Sequence, residues 1–190
     1  MKASLDAGHV VALDHAKTIA DGIAVKQPGE NTFALCSKYV DEVVTVDDDE
    51  IAQAILFLME RGKMVAEGAG AAPVAAIINK KFDTKGKVAA VISGGNIDVT
   101  MISRIIEKGL LRAGRVSKLR ILMQDRPGQL ELVSHIIGSN GANVMAIHHD
   151  RTDVDLDIRD AILEITMETQ DREHAQRIIA ALREAGFKVN

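Results

Sequence analysis

Apolar positions recur along this chain with two periods, and the place where the period changes divides it. Between Asp47 and Gly62, Ile51, Ala54, Ile55, Leu58 and Met59 repeat at helical spacing. The preceding Asp47-Asp-Asp-Glu50 suits a helix start, with Asp47 as cap, Glu50 reaching back, and acids at the positive end of the dipole. Gly62 is expected to end that helix. Further helices are expected over Asn31–Val40, with Phe33, Leu35 and Cys36 apolar, and from Asp98 as cap through Ile102, Ile105, Ile106 and Leu110. Residues 2–8 read as a helical turn stopped by Gly8, and Val10–Leu13 and Glu42–Val46 as short strands. The alanine- and glycine-rich run from Glu67 would let a helix approach a sheet or a ligand closely, with Pro73 in its first turn. Val88–Ile92 is apolar without alternation, which predicts a strand buried on both faces of a helix-covered parallel sheet. Ser93-Gly94-Gly95-Asn96 follows at its carboxyl end, where open α/β sheets take their ligands.

After Ala113-Gly114-Arg115 the period shortens. Leu119–Met123, Asn143–His149, Ala161–Met167 and Phe187–Val189 read as strands. Gln129–Ser139 and Asp171–Glu184 read as helices, the first with Leu130, Val133, Ile136 and Ile137 on one face. Asp125-Arg-Pro-Gly128 is a sharp turn, and residues 150–158 form an acidic hairpin connection. The order βαββαβ is the ferredoxin-like plan, two helices on one face of an antiparallel sheet. The expected organisation is an α/β segment over 1–112, a linker over 113–116 and the βαββαβ unit over 117–190.

Composition narrows the function classes. With 190 residues, 47% hydrophobic and 26% charged, the chain is ordinary for a globular protein of one or two domains. Aromatics are 3%, Trp is absent and net charge is −4, which argues against nucleic acid as a partner. No apolar run approaches the ~20 residues of a membrane span. Cys36 is alone, so no internal disulfide is possible, and no leader-like segment is visible; the expected location is the cytoplasm.

The Ser-Gly-Gly turn has two readings. One is a tight connection that needs glycine for backbone freedom. The other is a cofactor seat, with glycines admitting the ligand and Ser93 supplying one neutral hydroxyl. The pattern is neither a phosphate-binding P-loop nor a full dinucleotide fingerprint. Ser93-Gly-Gly-Asn-Ile-Asp98 after Glu67-Gly-Ala-Gly-Ala71 resembles the carboxyl half of the pyridoxal-phosphate threonine and serine dehydratases. Thr18-Ile-Ala-Asp-Gly22, Pro28-Gly29 and Tyr39-Val-Asp-Glu-Val43 match that family in the same order, so the resemblance covers about residues 1–112. It implies part of a fold-type-II large domain. It also implies a cofactor-binding set of Ser93, Gly94, Gly95 and Glu67, with the serine meeting the pyridine nitrogen of the cofactor. The plain alternative for Glu67 is a solvated helix charge.

The same resemblance implies an activity, deamination of L-threonine to 2-oxobutanoate and ammonia. It also marks a departure. The family's Schiff-base lysine, in a Ser-Phe-Lys-x-Arg-Gly-type motif, and its glycine-rich phosphate loop do not occur in this sequence. Lys63, Lys80, Lys81, Lys85 and Lys87 read as surface residues. The expectation is a carboxyl-terminal piece with no catalytic residue of its own, inactive and without bound pyridoxal phosphate unless joined by an amino-terminal catalytic half.

Asp125-Arg-Pro-Gly-Gln-Leu130, with Asn143-Val144 opening the second strand, resembles the ACT domains that sense small molecules for amino-acid enzymes. The resemblance implies an amino-acid effector held by Asp125, Pro127, Gly128, Gln129, Leu130 and Asn143, and homo-oligomers formed through this domain. The alternative function is a non-catalytic amino-acid-sensing module that dimerises or regulates a partner enzyme; the plain reading of the turn is a good helix start. His148 and His149 are neighbours on a strand and point apart, and Asp153, Asp155, Asp157 and Asp160 lack the glycine and terminal Glu of a calcium loop, so no metal site is expected.

Overall fold

The computed structural model describes residues 1–83, 85–154 and 156–190; Asp155, part of the acidic connection, lies outside them. Within it the chain divides into two compact units, Met1–Ile106 and Glu107–Asn190.

The first unit is helical. Its elements are α1 (Lys2–Ala7), α2 (Glu30–Tyr39), α3 (Asp48–Phe57) and α4 (Gly68–Ile78), and α5 (Val99–Arg112) begins within it. The start of α3 carries the expected capping box: the Glu50 N–H donates to Asp47 Oδ1 at 2.8 Å, and the Asp47 N–H to Glu50 Oε2 at 2.9 Å. Ile51, Ala54 and Ile55 are buried against Ala71, Val74 and Ala75 of α4. Gly62 does not stop that helix. Leu58–Gly62 widen into a π-turn, and Lys63, at φ 54°, makes the left-handed stop instead. Pro73 sits in the interior of α4 rather than in its first turn. It removes one backbone donor. The buried Gly68, Gly70, Ala71, Val74, Ala75 and Ala76 around it hold the helix by packing.

The three expected strands of this unit do not form a ladder. Val10–Leu13, Glu42–Val46 and Val88–Ile92 are not paired as strands among the described residues. Val88–Ile92 is not buried on both faces either: Ala90 and Ile92 pack on the core, while Val91 is 74% exposed. The physical reason is that a strand is stabilised by its neighbours, and among the described residues no other segment bonds to the backbone of Val88–Ile92.

The second unit closes its own sheet. Strands β1 (Val116–Gln124), β2 (Asn143–Asp150), β3 (Asp160–Glu168) and β4 (Lys188–Val189) lie in the antiparallel order β2-β3-β1-β4. Register pairs Leu119 with Ile165, Ile121 with Leu163 and Met123 with Ala161, so one face of each strand is apolar. That face packs on Val133 and Ile137 of α6 (Gln129–Ser139) and on Ile178 and Leu182 of α7 (Arg172–Glu184). A β-bulge between Val144 and Ala146 interrupts β2. Among the described residues, seven α-helices and one four-stranded sheet place the chain in the α/β class, with a ferredoxin-like second unit.

Candidate functional site

The first unit brings Glu67 and the Ser93–Asn96 turn together. Glu67 precedes α4 as its N-cap in extended conformation, and its backbone N–H donates to the Gly94 carbonyl at 3.1 Å. Its carboxylate turns back, and Oε2 accepts the Asn96 N–H at 3.2 Å. Glu67 is therefore no free surface charge; it ties the head of α4 to the turn at two points. The approach is close because the partners are glycines. A Cβ on Gly94 would overlap the Glu67 carboxylate, and one on Gly70 would lie 2.8 Å from the Gly94 carbonyl oxygen. This supplies the reason for glycine that a turn alone did not: these backbones touch. Ser93 is exposed beside them, and its hydroxyl has no partner among the described residues.

Directly after this turn, Asp98 caps α5. The Thr100 N–H donates to Asp98 Oδ1 at 2.7 Å. The Thr100 hydroxyl bond, then that N–H, with the Arg104 charge nearby, hold the Asp98 carboxyl below the usual aspartate value.

The lysines stay on the outside of the unit. The Lys63 ammonium donates to the Glu60 carbonyl at 2.9 Å, Lys81 pairs with Glu50 at 2.6 Å and Lys85 with Asp83 at 3.2 Å.

In the second unit, Gly128 stands at the N-cap of α6 with φ 86° and open space around it, following Pro127. Gln129 and Leu130 are the first residues of that helix, and Leu130 is partly exposed. The Asp125 carboxylate is occupied: Arg151 Nε lies 3.0 Å from Oδ2, and His149 Nε2 3.8 Å from Oδ1. Asn143 donates from Nδ2 to Glu168 Oε2 at 3.1 Å. The structure does not bring Asp125 and Asn143 together within one chain. Asn143 pairs with Glu168, which pairs with Val116 at the start of β1, whereas Asp125 follows the end of β1. Nine strand steps of about 3.3 Å put them roughly 30 Å apart. Sequence spacing carries no trace of this; the antiparallel register decides it. The sequence weighs His149 only as a metal ligand and gives no sign of Arg151; in the structure both lie beside the Asp125 carboxylate. Asp150 beside them has its carboxyl lowered, first by the Thr152 N–H and then by the Thr152 hydroxyl. Among the described residues no group of His, Cys, Asp and Glu is arranged to hold a metal ion, and no helix is long and apolar enough to cross a membrane.

Known proteins match both units. A family model described as pyridoxal-phosphate dependent enzyme matches residues 1–94, and one described as ACT domain matches residues 115–185. An L-threonine ammonia-lyase of Thermotoga maritima is 50% identical over all of this chain and 47% of its own length. Another from Geobacter sulfurreducens is 45% identical over 98% of this chain and 47% of its own. A catabolic L-threonine dehydratase, TdcB, of Staphylococcus aureus is 50% identical over 97 residues, 49% of this chain and 28% of that one. The chain thus spans about half the length of the relatives it matches over its full extent.

Proposed function

We infer that this chain, which belongs to the pyridoxal-phosphate dependent threonine ammonia-lyases and carries an ACT domain, acts as the carboxyl-terminal, regulatory part of a threonine-deaminating enzyme. The observation that carries the reading is the double tie between Glu67 and the Ser-Gly-Gly turn. It leaves one free hydroxyl, Ser93, at a glycine-lined wall. That arrangement fits one side of pyridoxal phosphate, the side of the ring nitrogen. The cofactor, when bound, supplies an electron sink for loss of the α-proton of an amino acid. Ser93 would meet the ring nitrogen with a neutral hydroxyl, which adds no charge there. Gly94 and Gly95 would let the backbone approach the ring, and Glu67 would hold the turn in place. The residues fit this wall alone. The lysine and the phosphate loop belong to polypeptide outside this sequence, in the same chain or in a second one. Residues 1–112 contribute the wall; by themselves they hold no complete cofactor site and do not deaminate threonine.

Residues 117–190 form the regulatory part. Asp125, Pro127, Gly128, Gln129, Leu130 and Asn143 recognise an amino-acid effector, and two copies are needed. With Asp125 and Asn143 at opposite ends of one sheet, a single ligand reaches both only across an interface between ACT domains. Arg151 must also leave Asp125 before that carboxylate can take an ammonium group.

The test is complementation. The chain is mixed with an amino-terminal polypeptide that carries the family's lysine and phosphate loop, and ammonia release from L-threonine is followed. Activity in the mixture, absent from either part, is the expected outcome; a mixture no better than its parts would sink the reading.

A further inference from the structure

His174 is a buried histidine that none of the chemistry above uses. It stands in the first turn of α7 and is 2% exposed. Backbone groups engage both ring nitrogens. Nδ1 accepts the Gln170 N–H at 3.1 Å, and Nε2 lies 2.7 Å from the Asn140 carbonyl oxygen. One state of the ring satisfies both contacts, the neutral imidazole with its hydrogen on Nε2. An apolar side chain would fill the same space; joining these two backbone groups takes a side chain with one acceptor and one donor.

The two groups belong to different parts of the unit. Asn140 is the C-cap of α6, and Asn143 opens β2 just beyond it. Asn143 donates to Glu168, so residues 140–143 are tied to residues 168–174 at two points. On its other side the same segment grips the end of α5. Arg172 Nε and Nη2 donate to the Arg112 carbonyl at 3.1 and 2.7 Å. The last carbonyls of a helix lack intrahelical partners, and its dipole favours a cation there. The Thr169 hydroxyl donates to the Gly114 carbonyl at 2.6 Å, and the Thr169 N–H to the Arg115 carbonyl at 2.9 Å. Gly114 sits so close that a Cβ there would lie 2.5 Å from Arg172 Cγ. A shift of residues 140–143 must therefore carry the head of α7 with it or leave a buried donor and acceptor unpaired, which is the costlier outcome.

We propose that His174 is a positioning residue that passes a change at Asn143 to the end of α5. That helix runs unbroken to Arg112 from Val99, which directly follows the Ser93–Asp98 segment. The proposal rests on the reading of Asn143 as an effector residue and supplies the route by which that residue acts.

Amide exchange on the full chain, with nitrogen NMR of the imidazole, tests it. At neutral pH, Nδ1 should read as an unprotonated acceptor and Nε2 as protonated; the opposite tautomer would overturn the bonding. His174→Leu should speed exchange of Gly141 and Ala142 and, across the segment, of Gly114 and Arg115, each about tenfold, the scale of one lost hydrogen bond. Leu163 and Ile165 should keep their wild-type rates. His174→Gln, with an acceptor and a donor of its own, should restore both pairs. Arg172→Met, at an exposed position, probes the reverse direction and should speed the same four amides. Faster exchange confined to the pair beside the substituted residue, or a rise shared by Leu163 and Ile165, would overturn the link. Neither readout needs an effector, so that failure leaves the sensor reading standing.

Discussion

The two units treat the same kind of sequence differently. Leu163, Ile165 and Met167 of β3 are essentially buried, each in register with β1 on one side and β2 on the other. Val88–Ile92 is as apolar and as β-prone, yet it joins no ladder and Val91 stands 74% exposed. The difference lies in the source of the neighbours. In the second unit every strand finds its partner within residues 116–189. In the first, the pattern of Val88–Ile92 is that of a strand with neighbours on both edges, and the described residues provide none. An apolar run thus records the environment a segment was selected for, and a fold forms there only when that environment is present.

Predictions follow that contrast from its strongest point to its weakest. Leu163→Ala opens a cavity in a core with no slack and should cost about 2–5 kcal/mol in denaturant unfolding of the second unit. A loss below about 1 kcal/mol would mean that this core is not closed. Gly70→Ala sets a methyl 2.8 Å from the Gly94 carbonyl oxygen, so the turn and the head of α4 must separate; a loss of about 1–3 kcal/mol is expected in the first unit alone. A neutral Gly70→Ala would remove the close approach between these backbones. Asp47→Ala loses a capping box and about 1 kcal/mol, read from thermal unfolding of the first unit.

Asp98 adds a pH dependence of known sign. Its carboxyl is held low in the folded protein, so its stabilising effect is full above the ordinary aspartate value. The effect fades as pH falls through the lowered value. Asp98→Asn should therefore flatten the acid limb of stability against pH and change little at pH 7 beyond a constant offset. An acid limb unchanged by the substitution would place the bond to Thr100 elsewhere. The smallest effect belongs to Val91→Thr, which at an exposed position should stay within about 0.5 kcal/mol.

Local signals in the sequence were readable where they act over a few residues. The Asp47–Glu50 capping box, the Asp98 cap and the alternation of β3 each appear where the residues place them. The βαββαβ order was readable too, because each of its elements has its own periodicity. What escaped depends on distant partners. The helix end at Gly62 gave way to a π-turn closed by Lys63. Pro73 entered a helix interior because the small residues around it pack tightly enough to hold it. Of the candidate sites, the meeting of Glu67 with Ser93-Gly94-Gly95 was legible only through resemblance, since 26 residues separate them and no periodicity links them. The roughly 30 Å between Asp125 and Asn143 was not legible at all, because it follows from strand register.

Amide hydrogen exchange on the isolated chain tests the central contrast most directly. The amides of Ala161–Met167 should be protected to the level of unfolding of the second unit, and those of Val88–Ile92 should exchange almost as fast as in an unstructured peptide. Equal, strong protection of both segments would contradict the account, because it would mean that Val88–Ile92 already has its strand neighbours.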